Sequence, residues 1–135
     1  DSPYGSDRRN LGMNKAIGDY FVFLDDDNVL AAGALRTIRQ HIKEQPGYVF
    51  FFRLDQGLNG ALGPTNWSSP DLTPNNISVE NIVVPNNNKT PRWVYGEGPN
   101  NEDSKFARQC AELYPYTFVD KITHHYRPHT YYDSK

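Results

Sequence analysis

The sequence predicts an α/β fold, a sheet with flanking helices. Three observations carry that expectation. Two apolar runs, YFVFL at 20–24 and YVFFFRL at 48–54, lack polar alternation, as strands covered on both faces do. Between them, Ala31, Ala34, Leu35, Ile38 and Ile42 recur at helical spacing. The first run stops abruptly in Asp25, Asp26, Asp27 and Asn28, and open α/β sheets bind ligands at such strand ends.

The bulk numbers bound the class. A chain of 135 residues suffices for a single domain with one core. At 37% hydrophobic residues it stands clear of the disordered class. A net charge of −2 offers no pull on nucleic acid or an anionic membrane, so any phosphate binding belongs to a local site. One cysteine, Cys110, excludes an internal disulfide framework and fits a reducing compartment, hence a cytoplasmic expectation. No apolar run approaches the ~20 residues of a membrane span, and no signal peptide is visible.

In chain order, residues 8–17 read as a short helix with Leu11, Met13, Ala16 and Ile17 as its apolar positions, stopped by Gly18-Asp19. Residues 20–24 follow as a buried strand, expected at the centre of the sheet. The next helix ends before Pro46-Gly47 and leads into the strand at 48–54. From 55 to 89 Gly, Asn, Pro and Ser dominate. This reads as a long functional loop with short strand pieces at 77–79 and 82–84. A short strand at 92–95 is expected, then an amphipathic helix at 102–113 using Phe106, Ala107, Cys110 and Leu113. Short strands are expected at 117–119 and 122–126.

The acidic turn is the strongest chemical feature. Three adjacent carboxylates repel one another, so a cation belongs with them. Carboxylates suit Mg²⁺ or Mn²⁺, which commonly link one or two of them to substrate phosphates. The plainer alternative is a solvated turn that caps the next helix.

The run Arg9-Asn10-Leu11-Gly12, Ala16, Gly18-Asp19-Tyr20 and Phe23-Leu24-Asp25-Asp26-Asp27 resembles glycosyltransferase family 2. That resemblance implies a Rossmann-like GT-A fold with a mixed sheet. It implies a nucleotide-sugar donor, with a UDP-sugar the first expectation, and a saccharide or other hydroxyl acceptor. By the same resemblance Asp27, with Asp25, holds Mn²⁺ or Mg²⁺ on the donor diphosphate. Asp25, Asp26, Arg8 and Arg9 are the donor-binding candidates. Downstream, Glu102-Asp103 with Phe106 and Arg108 is similar to the family's acceptor-side acidic motif, which makes Asp103 the expected catalytic base in an inverting transfer. Glu102 or Glu97 are the alternatives for that role.

Some GT-A enzymes add a C-terminal histidine to the metal, which points to His124 or His129, with His125 beside them; surface strand histidines are the plainer alternative. Trp67 and Trp93 are acceptor-side candidates for stacking on a sugar, or anchors buried with the loop.

The family's opening strand and turn have no counterpart here. The expectation is therefore a single partial catalytic domain over 1–135, truncated at its N-terminal side. Its strand at 20–24 would then leave an unpaired edge, and a homodimer is expected to cover it. Two other functions stay open, a non-catalytic remnant and a nucleotidyltransferase of similar topology.

Overall fold

The structure, a computed structural model, describes residues 5–57, 62–63, 70–94 and 99–126. Its elements run α1 (Ser6–Lys15), β1 (Tyr20–Val22), β2 (Val29–Leu30), α2 (Ala34–Glu44), β3 (Val49–Asp55), β4 (Leu62–Gly63), β5 (Ile82–Pro85), α3 (Pro99–Leu113) and β6 (Tyr116–His125). The described strands form one mixed sheet in the order β1-β5-β3-β6-β2, with β4 on the end of β3. Strands β3 and β6 run parallel, while β5 lies antiparallel to both β1 and β3.

The unbroken apolar run of β3 follows from helices on both faces. Val49 and Phe51 face a cluster containing Phe106, Ala107 and Cys110 of α3 and Met13 of α1. Phe50 and Phe52 face the opposite cluster, which contains Ile38 of α2. All four strand residues are fully buried. At roughly 1.5–3 kcal/mol for each large apolar side chain removed from water, this strand is the energetic centre of the domain.

Strand β1 divides its side chains in the same way, Phe21 to the α3 side and Tyr20 with Val22 to the α2 side. Its position agrees with the unpaired edge expected of this strand without the family's opening strands. Among the described residues β1 pairs with β5 alone and forms one edge. An apolar run reports helices above and below a strand, and it carries no information about neighbours along the sheet.

Other boundaries also move. The two short strands expected at 117–119 and 122–126 are one continuous strand, Tyr116–His125, with its register shifted against β3 between Phe51 and Leu54. Residues 77–79 bury Ile77 and Val79 but lead into a 3-10 turn, Val79–Asn81. Residues 92–94 carry no strand. Of the apolar positions expected at 8–17 only Met13 is buried, while Leu11 is 57% exposed and Ile17, past the end of α1, 97% exposed. No helix among the described residues is long and apolar enough to cross a membrane.

The polar stretch before α3 is held by local bonds. Asp71 accepts from the Thr73 amide and hydroxyl and from the Asn76 amide, an Asx-type turn. Ser104 of α3 donates to the Leu72 carbonyl. Asn86 donates to the carbonyls of Ala16 and Gly18, tying the start of β1 to the end of β5. The Asn-rich segment thus works here on backbone groups.

Candidate active site

The turn after β1 is closed by the Asn28 amide donating to the Asp25 carbonyl at 3.1 Å. The chain leaves an edge strand there, so the carboxylates project past the sheet. Asp26 is exposed, and Asp25 and Asp27 are half-buried.

Arg9 of α1 meets this turn. Its guanidinium lies 3.5 Å from Asp25 and 4.0 Å from Asp103. One cation therefore faces the acidic turn and the first turns of α3 together. Arg9 also lies over the Trp93 ring, 4.8 Å from its centroid. The far face of Trp93 stacks on Phe106, with centroids 4.0 Å apart and planes 8° from parallel. Asn10 fixes the same segment by a reciprocal pair of bonds to the Trp93 backbone, each 2.7 Å. So the Arg9-Asn10 pair places a guanidinium on a rigid aromatic platform.

Arg8 is exposed. It joins Arg9 and the 20–26 segment in lining an open cavity of about 700 Å³ between α1 and β1. Its walls carry apolar side chains from β1 and polar ones from the turn, a mixture suited to a ligand with an apolar ring and a charged end.

Asp103 is largely buried. Burial pushes its carboxyl up to about 7, with Arg9 opposing and Asp25 adding to the rise. A carboxyl in that range exchanges a proton near neutrality, which is what a general base requires.

Glu80 was not among the sequence candidates, yet it sits beneath the acidic turn. Its carboxylate accepts from the Asp25 amide at 3.3 Å and from the Asn28 side chain at 2.5 Å. Burial, then the nearby Asp25 charge, push it up to about 7. The sequence signal was faint, a lone acid between apolar residues in Val79-Glu80-Asn81-Ile82.

Several candidates lie elsewhere. Glu102 is buried and accepts from Ser6 of α1, so it faces the helix and not the cleft. Trp93, expected as a sugar platform, has both ring faces covered and is 3% exposed. His124, expected as a metal ligand, is fully buried, with Nε2 2.8 Å from the Phe23 carbonyl and Nδ1 2.8 Å from the Thr123 hydroxyl. Burial lowers its pKa. The neutral ring, donating to the carbonyl through Nε2, leaves no nitrogen for a metal in this arrangement. His125 pairs with Asp55 at 2.9 Å. Trp67, Glu97 and His129 lie outside the described residues.

Among the described residues no three His, Cys, Asp or Glu side chains gather as a metal site. Mg²⁺ or Mn²⁺ held jointly with a diphosphate asks for only one or two carboxylates. The half-buried Asp25 and Asp27 fit that limited demand.

Residues 5–99 match the sequence profile described as "Glycosyl transferase family 2". The chain belongs to this family. A curated relative from Campylobacter jejuni is named "GalNAc(5)-diNAcBac-PP-undecaprenol beta-1,3-glucosyltransferase"; it is 43% identical over 42 residues, 31% of this chain and 14% of that protein. A solved structure, S. aureus TarS 1-349, superposes with a TM-score of 0.73 over 94% of this chain and 41% of the other, at 15% identity. That likeness shows the fold, a partial GT-A domain. The match of this family 2 chain covers less than half the length of either protein.

Proposed function

We propose that this domain transfers a sugar from a nucleotide-diphosphate sugar to an acceptor hydroxyl, with inversion at the anomeric carbon. The observation that carries the reading is the position of Arg9, 3.5 Å from Asp25 and 4.0 Å from Asp103. A donor-side acidic turn and a carboxyl suited to proton abstraction are thereby joined through one guanidinium.

In this reading Asp103 takes the proton from the acceptor hydroxyl as its oxygen attacks the anomeric carbon. The bond to the diphosphate breaks on the opposite side, and its electron pair leaves with the diphosphate. Arg8 and Asp26 contact the donor at the cavity mouth. Arg9, pinned against Trp93, keeps Asp25 and Asp103 in register. Asp27 with Asp25 would hold Mn²⁺ or Mg²⁺, which would supply positive charge for the leaving diphosphate.

A UDP-sugar is the first donor to assay. The Campylobacter relative acts, by its name, on a saccharide attached to PP-undecaprenol, so a saccharide acceptor comes first. The experiment is a transfer and donor-hydrolysis assay of the full protein over a panel of UDP-sugars, with Mn²⁺ or Mg²⁺ and with chelator. Asp103→Asn should lower turnover by about 10²–10⁴-fold, and Asp27→Ala should abolish metal-dependent turnover. Full activity in Asp27→Ala would overturn the metal assignment. Metal-dependent cleavage within the nucleotide, without sugar transfer, would favour a nucleotidyltransferase.

A further inference from the structure

Glu80 has no part in the resemblance on which the functional reading began, and no step above uses it. Its carboxylate is 3% exposed and faces inward beneath the acidic turn. It accepts from the Asp25 amide at 3.3 Å and the Asn28 side chain at 2.5 Å. These are the two residues whose backbones close that turn. The backbone amide of the preceding residue, Val79, faces the Asp103 carboxyl and favours its charged form. Neighbouring residues of one short turn thus reach both the acidic turn and Asp103.

That turn is itself rigid. The Ser78 amide donates to the Asn81 side chain at 2.8 Å, and the Asn81 amide returns to the Ser78 carbonyl at 3.1 Å. The Asn81 side chain also donates to the Phe52 carbonyl at 2.7 Å, bolting the turn to the central strand. Val79, Glu80 and Asn81 are all buried. A buried amide with its hydrogen bonds met has one orientation available, and the turn passes that orientation to its neighbours.

We propose that the Ser78–Asn81 turn sets the acidic turn against Asp103, with Glu80 as its positioning residue. The role rests on the reading of Asp25 and Asp103 as donor-side and acceptor-side groups, but its test does not. Backbone amide exchange and carboxyl ¹³C spectra of the chain follow both halves of the cleft directly.

In Glu80→Ala the Asp25 amide loses its acceptor, so its exchange should quicken by about tenfold, the worth of one net hydrogen bond. The Val79 amide and the Asp103 carboxyl resonance should move with it. Glu80→Gln keeps an acceptor oxygen at the same reach, so it should restore Asp25 protection and the Asp103 resonance. Where transfer is measurable, Glu80→Ala should lower kcat by about 100-fold, as a displacement of roughly 1 Å does, with KM for the donor changed less. Asp25 exchange within about twofold of wild type in Glu80→Ala would overturn the proposal, as would a Gln variant that restores nothing. Should Glu80→Ala fail to fold, Asn28→Ala removes the same clamp from the solvent side. It should quicken exchange of the Asn28 amide and shift the Val79 amide, and an unmoved Val79 would again overturn the proposal. Absence of sugar transfer in the wild type would remove the functional reading and leave the exchange result standing.

Discussion

Asn10 and Trp93 exchange two hydrogen bonds, side-chain amide to backbone and backbone amide to side chain, each 2.7 Å. The pairing imitates a step of β-ladder between a helix and an extended segment. It explains why an asparagine follows Arg9, for only an amide side chain presents a donor and an acceptor at that spacing. Asn10→Ala should cost about 2 kcal/mol, two net hydrogen bonds. Asn10→Asp should cost at least as much, because its carboxylate cannot donate to the Trp93 carbonyl. Denaturant unfolding with an unchanged m-value checks both.

Asp103 links stability to pH. Its folded pKa, near 7, stands above the ordinary value of 3.8. The folded state therefore binds the extra proton between those values, and stability falls as pH rises through that window. Asp103→Asn removes the burdened charge. It should be more stable than wild type above pH 7, by on the order of 2 kcal/mol, with the advantage gone near pH 4. Thermal melts across pH 4–9 test this.

Arg9 lowers the Asp103 pKa against the effect of burial. Arg9→Gln should raise that pKa further and move the rising limb of the pH–rate profile to higher pH. Arg9→Lys keeps the charge but loses the planar fork and its contact with Trp93, so it should restore the profile only in part. A limb that stays in place in Arg9→Gln would separate Arg9 from Asp103.

His124 closes the end of β6 onto the residue before Leu24. His124→Phe leaves the buried Phe23 carbonyl without its donor and should cost about 1–3 kcal/mol. Because both ring nitrogens are committed to the fold, the affinity for Mn²⁺, read by titration of the folded variant, should be unchanged.

Strand β1 presents its second edge unpaired among the described residues, with Leu24 48% exposed at its end. An open edge beside apolar surface favours association. The chain should behave as a two-fold dimer in light scattering at low micromolar concentration. A monomer across that range would remove this expectation.

Much of this protein was legible without coordinates. The runs at 20–24 and 48–54 announced strands covered on both faces. Helical spacing at Ala34, Ile38 and Ile42 announced α2, and the aspartates marked the end of a strand. The residues from Arg9 to Asp27 carried the family. All of these are local signals, written in periodicity and in residues adjacent along the chain. Tertiary structure decided the rest. Only the sheet order set β5 beside β1 and made β3 the centre, since pairing depends on partners far away in sequence. Only packing turned Trp93 from a candidate sugar platform into the support of Arg9, and His124 from a candidate ligand into a strand lock, because a side chain's free atoms depend on what surrounds it. And only the approach of the Ser78–Asn81 turn to both Asp25 and Asp103 gave Glu80 a place in the site, a contact between segments that no spacing along the chain could encode.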